Sequence, residues 1–375
     1  MQDFDSIRPY LDHEVPAVVG RLVEDPDLCH AAALFYFPRL TRWLPIVSRS
    51  LTGRKLRKLG KTLHTVSDVQ DLLSGYMQLV MDKTIVEFTV TGLDDLPMGS
   101  ASLFVSTHRD IIMDSSVMNI AIKRAGHDTS QSAVGDNLLS KAFAADLMRL
   151  NKSFVVARSV TGKKALYRAL YHTSEYIRAS LEAGQSVWIA QREGRSKDGL
   201  DRTDPAVVKM LALAYKNEKE SLGEMCDRLR IVPVAITYEL DPCDLRKARE
   251  LHITNLQGQY DKPEGEDLAS MVDGILGFKG RVHLYFGDPI KGQFDDADAL
   301  AKAIDRSIVR GLKVYPTHLE AARRLGLHDL PVAEVGREDV DAAFQEHIRA
   351  CPPAQKNFLF EQYANLIRNK RTLGV

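Results

Sequence analysis

Apolar positions along this chain follow two regimes. Up to about residue 83 they recur at helical spacing among charged and polar residues, whereas from Thr84 they also gather into short runs of strand composition. IVEFTV, starting at Ile85, leads into a Gly, Asp and Pro turn vocabulary. ASLFVS, KSFVVAR, SVWIAQ, IVPVAITYE and RVHLYFGDPI follow in that order. Between them lie helical patterns. Ser115 to Arg124 has helical spacing and stops at Gly126; Leu166, Leu170, Thr173, Ile177 and Leu181 mark one helix face closed by Gly184; Pro205 opens another helix that runs through Tyr215. Strands separated by helical crossovers predict an α/β fold with a largely parallel central sheet, whose ligands sit outside the carboxyl ends of the strands. From Asp295 the pattern is helical again, broken at Pro316, Pro331, Pro352 and Pro353, and offers no chemistry of its own. The expected organisation is an N-terminal helical domain over 1–83, an α/β domain over 84–294 and a helical C-terminal extension over 295–375.

Composition narrows this little. A 45% hydrophobic and 27% charged chain of 375 residues is an ordinary globular protein of one or two domains. Its formal net charge is zero, so attraction to an anionic partner has to come from uneven placement of charge. From Cys29 to Val66 there is no Asp or Glu, while Arg39, Arg42, Arg49, Arg54, Lys55, Arg57, Lys58 and Lys61 stand among Leu34, Phe35, Tyr36, Phe37, Trp43 and Ile46. Such mixing suits an anionic membrane surface and equally suits a basic helical face packed on its neighbour. Nucleic acid is not indicated, since no RNP, helix-turn-helix or zinc-finger spacing is present. Cys29, Cys226, Cys243 and Cys351 form no CxxC pair, which argues against a disulfide framework and a thiolate zinc site and fits a reducing cytoplasm. The acidic, polar N-terminus is unlike a signal peptide, and no apolar run reaches the roughly 20 residues of a spanning helix. The expected location is cytoplasmic, peripheral to the inner face of the membrane.

Residues able to do chemistry lie just past predicted strand ends. His108, with Asp110 and Asp114, follows ASLFVST; Arg158 follows SFVVA; Glu193, Gly194, Arg195 and Ser196 follow VWIAQR. An imidazole is suited to general-base work near neutral pH, and a neighbouring carboxylate fixes its tautomer and stabilises the imidazolium. A lone His at a strand end is also a common structural feature, and an Asp before a helix is commonly a cap. Arg158 and Arg195 offer planar forks that match phosphate oxygens, with Lys163 and Lys164 opening the next helix; the bland alternative for REGRSKDGLDR is a solvated turn. Kinase chemistry is excluded because the position five residues after Asp110 is Ser115 rather than Asn, and a P-loop because its first Gly would fall at Ala157. HExxH, GxSxG and GxGxxG are absent, so neither a metal nor a resident cofactor is expected.

In this order, HRDIIMD, SFVVAR, REGRSKDG and IVPVAITY resemble the four blocks of the glycerolipid acyltransferase superfamily, over about Thr84 to Lys291. VWIAQREGRSKDGLDRTDP with IVPVAITYELDP is most similar to the soluble, plastid-type glycerol-3-phosphate acyltransferases, which also carry an N-terminal helical domain. One departure matters. The family leaves four residues between His and Asp, and here that position is Met113, with the acid one later at Asp114. At about 100° per residue, that step on a regular helix turns the carboxylate away, so a late helix start or a bulge is required unless Asp110 takes the role. Asp114 is preferred because SSVMNIAI aligns with the family's following helix.

The resemblance implies acyl transfer from a fatty-acyl thioester, on coenzyme A or acyl carrier protein, to a hydroxyl of glycerol 3-phosphate. His108 is the implied base and Asp114, or else Asp110, its holder. Arg158 and Arg195 are the implied phosphate ligands, with Glu193, Gly194, Ser196 and Lys163 shaping that site. Alternatives are 1-acylglycerol 3-phosphate (lysophosphatidate) or another lysolipid as acceptor, a non-catalytic anionic-lipid-binding protein, and a hydrolase.

Overall fold

The computed structural model describes residues 3–96, 99–139, 141–218 and 220–375. The helices Val15–Leu22 (α1), Pro26–Tyr36 (α2), Pro38–Trp43 (α3), Pro45–Gly60 (α4) and Val66–Thr84 (α5) precede the first strand, Ile85–Thr91 (β1). Then come Leu103–Ser106 (β2), Met113–Arg124 (α6), Gln131–Gly135 (β3), Ala142–Leu150 (α7), Ser153–Val156 (β4), Lys163–Glu182 (α8) and Val187–Ala190 (β5). Pro205–Leu211 (α9), Leu222–Leu229 (α10), Ile231–Tyr238 (β6), Asp244–Gln257 (α11), Glu266–Leu276 (α12) and Gly280–Phe286 (β7) follow. Ala297–Gly311 (α13), Pro316–Arg324 (α14), Glu338–Ala350 (α15) and Lys356–Leu373 (α16) end the chain.

Two compact units result: residues up to Met77 with Gln131–Tyr176, and Gln78–Ser130 with Ile177–Val375. In the first, prolines open α2, α3 and α4 at positions whose N–H would have no helical partner, and Asp25 caps α2 through the Asp27 and Leu28 amides at 2.9 Å. Val15, Val18, Val19 and Leu22 of α1 bury against Val66, Val69 and Leu150. Arg21 of α1 clasps the Asp146 carboxylate of α7 at 2.5 and 2.7 Å, and Tyr10 donates to it at 2.7 Å. β3 and β4 pair in parallel, with Val134 opposite Val155.

The second unit holds its strands in the order β1-β7-β6-β2-β5. Every pair in it is parallel except β6 with β7, and Phe104 of β2 lies between Trp188 of β5 and Val232 of β6. All residues of LFVS and of IVPVAITY are buried, because both faces of these inner strands are covered. This explains why they read as continuous apolar runs rather than alternating ones. The α/β, largely parallel expectation holds, with helical segments before and after it. The units divide the chain differently from cuts at 83 and 294, since 131–176 cluster with the N-terminal helices and the C-terminal helices with the five strands.

Candidate active site

In the second unit, the strand ends bring two of the predicted segments together. Thr107 is fixed to β6 on both sides, its amide donating to the Val234 carbonyl at 3.1 Å and its hydroxyl accepting from the Ile236 amide at 2.9 Å. The chain then leaves the sheet at His108 and does not become helical until Met113. Asp110 holds that stretch: its Oδ1 accepts from the amides of Ile112 and Met113 at 2.9 and 2.8 Å, a side-chain turn just ahead of the helix. Its Oδ2 fits against Gly274 of α12, where a Cβ would come within 2.0 Å of it. Burial, then the neighbouring Asp114, push the Asp110 carboxyl above its ordinary pKa.

The late helix start turns Asp114 back toward His108. Asp114 is fully buried, and its Oδ2 meets His108 Nδ1 at 2.9 Å and the amides of Arg109 and Asp110 at 2.6 and 2.9 Å. Its Oδ1 accepts the Tyr238 hydroxyl at 2.8 Å. Each of these partners donates, so both carboxylate oxygens serve as acceptors. With Nδ1 donating to Asp114, the lone pair of the imidazole lies on Nε2. The ring stands edge-on to Trp188 of β5, at 5.6 Å between centroids and 79° between planes, and its side chain is 15% accessible.

The loop after β5 closes on the same segment. The Ser196 amide donates to the His108 carbonyl at 2.6 Å, and Arg109 reaches Asp201 Oδ2 at 2.5 Å, a nearly buried ion pair. Burial works to raise the Asp201 carboxyl, and the Arg109 charge opposes it without fully offsetting it. Gly194 takes φ +73°, a left-handed conformation that favours glycine, while Glu193 is exposed. The Arg195 side chain is 8% accessible; its nearest carboxylate oxygen, on Asp267, is 3.8 Å away, and its buried NH1 has no hydrogen-bond partner among the described residues. A guanidinium so placed has donors to spare for an oxyanion. The Ser196 hydroxyl is likewise buried without a partner among the described residues.

Sequence reasoning missed what braces this loop. Lys247 of α11 donates to the Arg109 carbonyl at 2.8 Å and pairs with Asp241 at 2.5 Å. From the C-terminal extension, Asn365 donates to the Asp198 carbonyl at 2.7 Å and Asn369 to the Gly199 carbonyl at 3.4 Å. At Gly199, φ is +73° and a Cβ would stand 2.1 Å from the Gln362 carbonyl oxygen, so only glycine lets α16 pass so close. The signal was there in part: Gln362, Asn365 and Asn369 are spaced so as to share one helix face, and that face is buried. A cavity of about 20 Å³ between Arg109, Ser196, Tyr238, Gln362 and Tyr363 has room for roughly one water and none for a substrate.

Arg158 and Lys163 belong to the first unit. After β4, the amides of Arg158 and Ser159 donate to Asp136 at 3.1 and 3.2 Å, and the Arg158 side chain lies over Gly135, where a Cβ would meet its Nε at 2.7 Å. Lys163 is exposed at the start of α8. Among the described residues, no cluster of His, Cys, Asp or Glu is arranged to hold a metal ion.

A solved structure, the 1-acyl-sn-glycerophosphate (LPA) acyltransferase PlsC from Thermotoga maritima, aligns at 15% identity over 79% of this chain and 92% of its own, with a TM-score of 0.38. No curated protein matches the chain. The model of the family described as Acyltransferase matches residues 87–237. That match spans His108, Asp114, Arg158 and Arg195.

Proposed function

We propose that this protein moves a fatty acyl group from a thioester, on coenzyme A or acyl carrier protein, to a hydroxyl of glycerol 3-phosphate in phospholipid biosynthesis. The observation that carries this reading is the bonded chain from Asp114 through His108 to Ser196, which joins a base, its carboxylate and an arginine-bearing loop within an acyltransferase-family segment. His108 Nε2 takes the hydroxyl proton as the oxygen attacks the thioester carbonyl, and Asp114 steadies the imidazolium. The tetrahedral adduct then expels the thiolate, which receives that proton. The enzyme forms no covalent intermediate. Arg195 binds the phosphate and so fixes the hydroxyl in attack geometry, while Glu193, Gly194 and Ser196 shape the turn around it.

Arg195→Ala raises the KM for glycerol 3-phosphate by about 10- to 100-fold, the worth of a hydrogen-bonded charge pair, with a smaller change in kcat. An unchanged KM in initial-rate kinetics removes Arg195 from the phosphate site. The decisive assay for the function offers purified protein palmitoyl thioesters with glycerol 3-phosphate and, separately, its 1-acyl form, scored by product mass. Transfer to neither leaves the lipid-binding alternative.

The 1-acyl acceptor gains support from the N-terminal helices. Trp43 and Ile46 are 79% and 83% exposed, beside exposed Leu44, Val47 and Leu51 and the exposed basic residues Arg39, Arg42, Arg54 and Lys58. No helix among the described residues is long and apolar enough to cross a membrane. In our reading this surface rests on the anionic inner face of the membrane, the aromatic and aliphatic groups entering the interface and each cation contributing on the order of 1 kcal/mol. Paired substitution of Trp43→Ala and Ile46→Ser weakens sedimentation with phosphatidylglycerol vesicles by about tenfold, and high salt weakens it further. Equal sedimentation of the variant and the parent contradicts this orientation.

A further inference from the structure

We infer that Tyr238, at the end of β6, is a positioning residue for the His108–Asp114 pair, and that its hydroxyl aims and tempers the carboxylate on which the base depends. The inference rests on the proposed role of His108 as base. Tyr238 ends the strand whose Val234 lies opposite Ser106, so the strand that fixes the root of the His108 loop also carries this hydroxyl. Its oxygen is 2.8 Å from Asp114 Oδ1, and Asp114 offers Oδ2 to His108. The two carboxylate oxygens thus serve opposite partners, and rotation about the Asp114 side chain breaks both contacts at once.

The direction of donation is fixed by the surroundings. Burial, and next Asp114 itself, hold the Tyr238 phenol well above its ordinary pKa, so the hydroxyl keeps its proton and donates. Asp110 and Asp241 are the other carboxylates that bear on this phenol. Lys247 is engaged with Asp241 and the Arg109 carbonyl, and Lys279 donates to Thr84 and to backbone carbonyls, so among these groups Tyr238 is the one whose side chain donates to Asp114 Oδ1. A donor on Oδ1 draws charge from Oδ2, which weakens the pull of Asp114 on the His108 Nδ1 proton; removing the donor strengthens that pull and frees the carboxylate to rotate.

The test uses the full-length protein. In Tyr238→Phe, the His108 Nδ1 proton resonance, assigned by its loss in His108→Gln, moves downfield by more than its line width. Replacement of Tyr238 by 3-fluorotyrosine, which keeps the hydroxyl, preserves the ring almost unchanged in size and makes a more acidic donor, moves it upfield. In the same preparations Tyr238→Phe lowers kcat about tenfold, a fraction of the 100- to 10,000-fold that general-base catalysis supplies, with the acceptor KM within about twofold of the parent. A residue that merely fills space lowers stability and leaves the resonance where it was. An unmoved resonance in folded Tyr238→Phe overturns the inference; if that variant does not fold, an unmoved resonance with 3-fluorotyrosine does so. Full turnover in His108→Ala refutes the base instead, and the resonance still reports whether Tyr238 acts on the pair.

Discussion

His108→Ala retains its fold and loses transfer by about 1,000-fold, within the range that a positioned general base contributes. Loss of activity without loss of structure follows from how the residue is held. The backbone does the anchoring, because the His108 carbonyl accepts the Ser196 amide and Thr107 before it is bonded to β6. An alanine keeps those bonds. Asp114 keeps three donors, from Arg109, Asp110 and Tyr238, when the imidazole goes. The check is product mass from palmitoyl-CoA and glycerol 3-phosphate, beside a thermal melt within a few degrees of the parent. Comparable turnover in the folded variant refutes the assignment.

The second large effect separates the two acids. Asp114→Asn lowers kcat by about 100- to 10,000-fold, as loss of the charge that supports an imidazolium does elsewhere, whereas Asp110→Asn changes it by less than about threefold. At position 114 an amide has one acceptor oxygen for four donors, so its NH2 meets either the Tyr238 hydroxyl or the group of three donors on the other side. No negative charge then faces the ring. At position 110 the two backbone bonds are made by Oδ1 alone, which an amide oxygen reproduces, and burial has already raised the carboxyl toward its neutral form. Initial rates with both variants decide the matter. The reverse ranking makes Asp110 the partner and leaves Asp114 a structural carboxylate.

These two predictions turn on a spacing that looked irregular in the sequence. Counting residues along HRDIIMD put the second acid one step late for a helix beginning at the histidine. The structure starts the helix at Met113, after an irregular stretch over 107–110 and a turn at 111–112. Asp110 closes the turn ahead of the helix with the Ile112 and Met113 amides, and Asp114, in the first helical turn, faces the ring.

Much else was legible. LFVS, VWIA and IVPVAITY stood out because inner strands covered on both faces need unbroken apolar runs, and the strand from Gly280 to Phe286 stood out by its alternation of Val282, Leu284 and Phe286 with Arg281, His283 and Tyr285. QSAVG did not stand out, since its buried positions are Ser132 and Gly135 while its apolar Ala133 and Val134 are only partly buried. The segments carrying His108 and Ser196 were also visible, because chemistry at strand ends is a local pattern of a parallel sheet.

Tertiary structure decided the remainder. That 131–176 cluster with the N-terminal helices depends on contacts such as Arg21 with Asp146, remote in sequence. That the C-terminal extension grips the loop at Gly199, and that Tyr238 rather than a neighbour completes Asp114, depends on which faces of α16 and β6 meet which backbone. The sequence by itself determined the periods of the elements and the kinds of side chain at their ends, because these follow from local sterics and burial. The partners of those side chains were set by packing among distant segments, where displacing a carboxylate by a single residue is absorbed by one turn ahead of a helix.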